Sequence, residues 1–178
     1  MSTNAGDNKI ILDETEMDVS LPKNFRGWTI EEVRRVMQDK LFKGTNCPCC
    51  GQHAKIYKRR LNSGMVASLI WLVLKYEETG DWVEPQKTAP RYVLANREMG
   101  KLLHWSLVDI KENDDTSRRT SGLWMPTPLG VDFAKNNVFI STYVYLYTND
   151  VVGFSQITTN AREALGKKFN YDELMNNI

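Results

Sequence analysis

The chain has 178 residues, of which 42% are apolar and 25% charged, with a net charge of +1. These values are typical of a soluble globular domain, or a domain with a small subdomain, and the charge is too low for a dedicated nucleic-acid coat protein. No apolar run approaches the roughly 18 residues of a membrane span, and the polar N-terminus is unlike a signal peptide. We therefore expect a cytoplasmic protein without a membrane partner, of undetermined oligomeric state.

Charge is unevenly distributed along the chain. Residues 1–20 have a net charge of −4, which leaves +5 on the remainder. We predict a loose acidic N-terminus over 1–20, followed by a helix-plus-knuckle segment over 21–61. Thr29 and Glu32 have the spacing of a capping box, and Ile30, Val33, Met37 and Leu41 follow at helical spacing. The predicted helix extends to about Phe42.

All three cysteines lie between positions 47 and 50. Cys47 and Cys50 have the spacing of a metal knuckle, and Gly51 follows where the chain must turn back. A closed zinc site needs four ligands. His53 is the predicted third ligand and His104 the predicted fourth, with Cys49 as a competitor. The alternative is a set of reduced, partly buried thiols.

A redox interpretation of the same cysteines also remains open. Cys47-Pro48-Cys49-Cys50 matches the C-P-x-C pattern of dithiol oxidoreductases, in which the first thiol starts a helix. Here a glycine and a basic, strand-like segment follow. A zinc deaminase is excluded because neither histidine stands in a His-x-Glu motif. Phosphate-binding glycine loops and nucleophile elbows are also absent from the sequence.

The densest basic run follows the knuckle. It consists of Lys55, Lys58, Arg59 and Arg60, with Ile56 and Tyr57 inside it. Such a run suits a phosphate backbone. The alternative is a solvated strand edge whose lysines prevent self-pairing.

The pattern over 62–137 predicts a compact domain. Asn62-Ser63 caps a largely apolar helix over 63–78, and a second helical stretch over 91–105 breaks near Ala95-Asn96. We expect Asn96 to cap its second half and Arg97 and Lys101 to lie one turn apart on its polar side. Strands at 107–110 and 122–125 and a helix starting at Thr127-Pro128 complete the domain.

The C-terminal segment, 138–178, is predicted to form a β-hairpin and short helices. Three tyrosines alternate with two aliphatic residues over Tyr143 to Tyr147. The tyrosine face is either a stacking platform for single-stranded bases or part of the core or of a protein interface. Asn160 or Thr159 is predicted to cap a short helix through Leu165 that Gly166 ends.

Segment 63–136 resembles a winged helix-turn-helix domain. Lys101 to Val108 is similar to a recognition helix running into the first wing strand, and Gly122 to Gly130 to a second wing strand running into a helix. The resemblance implies that Arg97 and Lys101 face the major groove and that Arg118 and Arg119 lie at the wing tip. The implied fold class is α+β: a winged-helix-like core with an N-terminal zinc-knuckle segment and a C-terminal β-hairpin and helix extension.

The whole chain also resembles a set of uncharacterised proteins of tailed phages and prophages. The shared features are the cysteine knuckle running into K-x-Y-K-R and L-N-S, and the tail over Glu163 to Met175. This resemblance implies a host bacterial cytoplasm. We therefore expect a phage accessory protein that binds nucleic acid, with Zn²⁺ as cofactor. The alternatives are a module that binds and modulates a host bacterial protein and, third, a thiol oxidoreductase.

Overall fold

The computed structural model describes residues 27–113 and 120–176. They form a mixed α+β structure with small antiparallel sheets, which confirms the predicted class at this level. The acidic segment 1–20 and the predicted wing-tip residues Arg118 and Arg119 lie outside the described residues. The chain divides into two units: Met1–Lys58 with Tyr145–Gly153, and Arg59–Val144 with Phe154–Ile178.

Helix α1 (Ile30–Gln38) begins the described part of the first unit. The predicted capping box is present: Thr29 N–H donates to Glu32 Oε2 over 2.7 Å, and Glu32 N–H to Thr29 Oγ1 over 3.2 Å. The helix is shorter than predicted because Lys40 N–H donates to Met37 O, an i→i−3 bond that tightens the chain into turns. Strands β1 (Thr45–Asn46) and β2 (His53–Ala54) then enclose the cysteines.

Strands β3 (Tyr57–Arg60), β7 (Tyr143–Tyr147) and β8 (Asp150–Phe154) form a sheet in the order β3-β7-β8. The boundaries between the two units fall within these strands. In β7, Val144 and Leu146 are buried and the three tyrosines are half-buried, as the alternation predicts. Within the first unit, the Tyr145 ring meets Phe42 edge-on at 5.8 Å. At least this tyrosine is packed against other side chains.

Helix α2 (Ser63–Thr79) is the centre of the second unit. Its residues from Gly64 to Ile70 are all buried, as are Leu72 and Val73, in agreement with its apolar circumference. Asn62 Oδ1 caps it by accepting from Met65 N–H over 3.0 Å. Helices α4, α5, α6 and α7, the helix η1 and strand β5, defined below, all pack on α2.

Short helices follow α2: α3 (Pro85–Thr88), α4 (Arg91–Asn96) and the 3₁₀-helix η1 (Met99–Trp105). The break lies close to the predicted position, but Asn96 is the last residue of α4 and Glu98 is the N-cap of η1. The predicted cap at Asn96 is therefore wrong. Arg97 adopts a left-handed conformation, φ 48°, which ends α4 and places Arg97 before η1, not on its polar side.

A hairpin of β4 (Val108–Ile110) and β5 (Trp124–Pro126) follows, with Ile110 opposite Trp124. Val83 pairs with Trp124 through two backbone hydrogen bonds of 2.8 Å, so β5 lies between Val83 and β4. Helix α5 (Pro128–Ala134) starts as predicted, with Thr127 as cap. Gly130 packs so closely against the chain that a Cβ there would lie 1.9 Å from Leu107 O.

The second unit ends with strands β6 (Ile140–Ser141) and β9 (Thr158–Thr159), which pair antiparallel, and helices α6 (Ala161–Leu165) and α7 (Tyr171–Asn176). Asn160 caps α6, as predicted. Arg162 and Asp172 form a bidentate ion pair of 2.6 and 2.9 Å that joins α6 to α7. No helix among the described residues is long and apolar enough to cross a membrane.

Candidate functional site

The cysteine cluster lies on a tight turn between two paired strands. Asn46 stands opposite His53 in the β1–β2 pair. Cys47 N–H donates to Gln52 O over 2.8 Å, and Gly51 N–H donates to Cys47 O over 2.7 Å. Gly51 has a φ of 76°, which a glycine adopts without strain. This backbone brings Cys47 and Cys50 to the two sides of one turn, as a metal knuckle requires.

The three thiols are free and differ in their surroundings. The backbone amides of Cys50 and then Cys49 hydrogen-bond to the Cys47 sulphur and lower the pKa of its thiol. Burial, followed by the neighbouring Cys47 sulphur, raises the pKa of Cys49. Cys47 is therefore favoured over Cys49 as the thiolate, and the thiolate is the form that binds a metal or attacks an electrophile.

His53 is oriented by the same hairpin. Its Nδ1 lies 3.2 Å from Asn46 Oδ1, and its Cε1 and Nε2 atoms lie only 2.9 Å from the position that a Cβ on Gly44 would occupy. Both ring nitrogens thus already face neighbouring parts of the hairpin. The ring nevertheless lines the same cavity of about 280 Å³ as Cys47 and Cys50.

The four predicted zinc ligands do not form one cluster in the part of the chain that the structure describes. There, no three His, Cys, Asp or Glu side chains are arranged to hold a metal ion. Cys47, Cys50 and His53 belong to the first unit, and His104 belongs to the second. Zinc binding by Cys47 and Cys50, with His53 and His104 as third and fourth ligands, therefore stays a prediction.

The basic run extends from the knuckle into β3. Lys58 and Arg60 are exposed, whereas Lys55 and Arg59 are half-buried. The Lys58 ammonium lies 5.8 Å from the centre of the Tyr145 ring, within range of a cation–π contact. The four cations of the run therefore differ: Lys58 contacts an aromatic ring, Arg60 is exposed to solvent, and Lys55 and Arg59 are half-buried.

Arg59 and His104 both belong to the second unit, and the charge of Arg59 acts on the His104 ring. Burial of the His104 ring, followed by the positive charge of Arg59, lowers the pKa of His104. Arg59 Nε is buried without a hydrogen-bond partner among the described residues. No sequence pattern predicts this interaction, because 45 positions separate the two residues.

The predicted groove residues lie in different settings. Arg97 is exposed in the turn between α4 and η1. Lys101 is half-exposed and forms an ion pair of 2.7 Å with Glu98, whose other oxygen accepts from Asn62 Nδ2 over 3.3 Å. Sequence reasoning missed Glu98, although its i, i+3 spacing from Lys101 is the signal that could have found it. No protein family, curated protein or solved structure compared with the chain matches it.

Proposed function

We propose that this protein binds duplex nucleic acid through its second unit, as an accessory protein of a phage in the bacterial cytoplasm. The order of elements along the chain supports a winged-helix-like DNA-binding domain. It runs from α2 through a strand residue, Val83, to α4, η1 and the β4–β5 hairpin, and β5 pairs with both Val83 and β4. In such a domain η1 would face the major groove and the loop between β4 and β5, which contains Arg118 and Arg119, would be the wing.

The observation that carries the proposal is the connection of β3 to η1. Asn62 caps α2 with Oδ1 and donates through Nδ2 to Glu98, the N-cap of η1. At the other end of η1, Trp105 Nε1 donates to Ser141 O over 2.7 Å, next to Thr142, whose carbonyl accepts from Leu61 N–H over 2.9 Å. These bonds hold the residues that follow β3 close to both ends of η1, which supports the proposal that the basic stretches at β3 and at η1 act together.

The charges on this surface suit a phosphate backbone. No carboxylate among the described residues pairs with Arg59, Arg60 or Arg97, whereas Glu98 neutralises Lys101. In the same unit, Lys75, Lys87, Lys135 and Arg162 are paired with carboxylates. We name Arg59, Arg60, Arg97 and Lys101 the basic surface. The predicted contacts Lys55 and Lys58 belong to the first unit.

The test is duplex binding as a function of salt, measured by fluorescence anisotropy with the full chain. We expect affinity to fall steeply with salt, and the double variant Arg60→Gln with Arg97→Asn to lower the slope of log K against log salt by about 1.8. Asn is chosen at position 97 because it tolerates the left-handed backbone. The matched control is Lys167→Gln, an exposed charge outside the basic surface. A flat salt response, or an equal loss in the control, would reject the proposal.

A protein partner is the second candidate, and exposed apolar side chains near the β6–β9 pair favour it. Phe139 is 62% exposed, Ile157 63% and Phe154 43%, all within the second unit. Large exposed apolar groups in one region are typical of protein-binding surfaces. This function would be indicated by a bacterial protein that co-purifies after nuclease treatment with the wild-type chain but not with Phe139→Ser plus Ile157→Ser.

We also propose that Cys47 and Cys50 hold a zinc ion that stabilises the knuckle, with His53 of the same unit as the predicted third ligand. The support is the turn geometry and the lowered pKa of Cys47. A zinc ion bound by thiolates contributes its binding free energy to folding of the segment that holds it. Its role here is structural, and the proposed binding of nucleic acid uses no chemistry of the metal.

A further inference from the structure

We propose that the first unit binds single-stranded nucleic acid, with an unpaired base against the rings of Tyr57 and Tyr147 and a phosphate on Lys55. This site lies outside the basic surface. It goes beyond the proposed function, which concerns duplex and the second unit, and does not depend on it. None of the three residues is a predicted zinc ligand, so the inference holds with or without zinc in the knuckle.

The three residues come together at the cavity of about 280 Å³ that Cys47 and Cys50 also line. Lys55 reaches the cavity from the stretch that follows β2, Tyr57 from the start of β3 and Tyr147 from the end of β7. All of them belong to the first unit. Cavities that enclose a drug-sized ligand measure about 300 Å³ or more, so this one suits a smaller group such as a single base.

The Tyr57 ring is available to a ligand. It is 58% exposed, and its hydroxyl has no hydrogen-bond partner among the described residues. A large aromatic ring gains free energy when another flat ring removes water from its face. Nucleobases are such rings, and they stack on aromatic side chains whatever their sequence, because every base has a π-face.

Tyr147 is held in place by the turn that follows it. Thr148 and Asn149 have positive φ values of 49° and 75°, as a two-residue hairpin turn requires. Thr148 lines the same cavity, and its Oγ1 donates to Tyr147 O over 2.7 Å. A β-branched residue is strained in this region of φ, and such strain is concentrated at binding and catalytic sites. The end of β7 is therefore fixed before a ligand binds.

The charge around the cavity favours a phosphate. Lys55 is half-buried, and no carboxylate among the described residues pairs with its ammonium. No described Asp or Glu lines the cavity. Lys58, the next cation, is exposed and lies 5.8 Å from the centre of the Tyr145 ring, which places the start of β3 beside β7. Cations interleaved with aromatic rings are the arrangement with which proteins bind single strands.

A single strand fits this site better than a duplex or an acidic peptide. In a duplex the bases are paired and stacked on one another, so their faces are not available to Tyr57 and Tyr147. An acidic peptide would pair with Lys55 but would leave both rings without a flat partner. The unpaired base with its phosphate uses all three residues.

The experiment compares two strands of equal length, an oligo-thymidine and an abasic strand, by fluorescence anisotropy with the full chain. Both carry the same phosphates, so the difference in affinity reports on the bases alone. We expect the oligo-thymidine to bind at least about fivefold more tightly. Tyr57→Leu and Tyr147→Leu should each remove most of this difference, whereas Tyr57→Phe keeps the ring and should preserve it.

Two further measurements complete the test. Lys55→Gln should lower the slope of log K against log salt by about 0.7 for both strands, one phosphate contact. Phe139→Leu is the matched control, since it removes a ring that is 62% exposed but lies in the second unit. It should leave both affinities unchanged. The NMR signals of the Tyr57 and Tyr147 rings should move upfield with the oligo-thymidine only.

The outcomes separate this inference from the proposed function. Equal affinities of the two strands, or a loss with Tyr57→Phe as large as with Tyr57→Leu, would overturn the single-strand site, even if duplex binds with a steep salt response. If duplex does not bind while Tyr57→Leu abolishes the preference for the oligo-thymidine, the proposed function falls and this site stands. Unchanged amide spectra outside the cavity verify that each variant is folded.

Discussion

At the scale of single residues, Gly130 is where the fold tolerates the least change. We expect Gly130→Ala to destabilise the protein by at least about 3 kcal/mol, because the new Cβ would lie 1.9 Å from the Leu107 carbonyl oxygen and force α5 away from the chain. The measurement is the midpoint of urea unfolding.

Gly100→Ala is the matched control for this substitution. A Cβ at Gly100 would make an ordinary contact of 3.6 Å with the end of the Trp124 ring. We expect its midpoint to stay close to that of the wild type. Equal effects of the two substitutions would show that the close approach at Gly130 has no energetic consequence.

Glu98 sets how much of the basic surface is available to a polyanion. Its carboxylate pairs with Lys101 and accepts from Asn62. Glu98→Gln keeps an oxygen for the Asn62 bond and releases the Lys101 charge. We therefore expect duplex affinity to rise and the salt slope to steepen by about 0.9, one phosphate contact.

The counterpart of that variant is Lys101→Gln. Since Glu98 already neutralises the Lys101 ammonium, removing it should lower duplex affinity less than Arg97→Asn does, as anisotropy titrations at several salt concentrations would show. A larger loss for Lys101→Gln would mean that Lys101 leaves Glu98 and contacts the nucleic acid directly.

The structural role of a single residue could be predicted where it depends only on neighbours in sequence. Thr29, Asn62, Thr127 and Asn160 all cap helices as predicted, because capping depends on residues three positions apart. Asn96 failed as a cap because Arg97 takes a left-handed conformation. No local sequence pattern marks the Arg59 Nε, which is buried without a hydrogen-bond partner among the described residues.

At the scale of elements, the knuckle hairpin carries a prediction about the cysteines. We expect Cys47→Ser and Cys50→Ser to lose bound zinc and Cys49→Ser to retain it. Cys47 and Cys50 flank the turn, whereas the pKa of Cys49 is raised by burial and by the Cys47 sulphur. Elemental analysis of the untagged proteins is the measurement. Zinc retained by Cys47→Ser, or lost with Cys49→Ser, would contradict the assignment.

The α6–α7 pair should stabilise the second unit in a pH-dependent way. Hydrogen bonding to Arg162 lowers the pKa of Asp172. The ion pair therefore contributes fully above the pKa of an unfolded aspartate, about 3.9, and its contribution is lost as pH falls through the lower folded value. We expect Asp172→Asn to lower the melting temperature at neutral pH and to match the wild type at the acidic end.

The difference in melting temperature between the wild type and Asp172→Asn, followed across pH, reports on this ion pair, because every other carboxylate titrates in both proteins. A difference in melting temperature that is the same at neutral pH and at about pH 2 would show that the Arg162–Asp172 pair does not couple α7 to α6. Glu173→Gln, at the neighbouring exposed position, is the control and should leave the profile unchanged.

Elements were predictable where periodicity is strong. The apolar circumference of α2 and the alternation of β7 were both confirmed. The helix predicted to extend to Phe42 ends at Gln38, because i→i−3 turns replace its last turn. Where a sequence is compatible with both an α-helix and tighter turns, the surrounding contacts determine which conformation it adopts.

At the scale of the whole molecule, the α+β class follows from composition and pattern, but the division into units does not. Residues 145–153 belong with the knuckle, although about a hundred positions separate them from it. The order β3-β7-β8 is a long-range pairing, and local sequence patterns carry no information about which distant strands meet.

This division leads to a prediction about metal removal. The knuckle belongs to the first unit, and Arg59, Arg60 and Arg97 to the second. If zinc stabilises the knuckle, a chelator should release the amides of Cys47 and Gly51, which are bonded to Gln52 and Cys47 carbonyls, for fast hydrogen exchange. The amides of α2 should stay protected, because its buried face is formed within the second unit.

Duplex affinity, measured on the same chelated sample, should then change by less than about threefold, since no residue of the basic surface depends on the knuckle for its hydrogen bonds. Zinc added back should restore protection of Cys47 and Gly51 in the wild type but not in Cys47→Ser. If chelation abolished duplex binding while α2 stayed protected, nucleic acid would have to be bound through the knuckle and its lysines, Lys55 and Lys58, and the assignment of the basic surface to the second unit would be wrong.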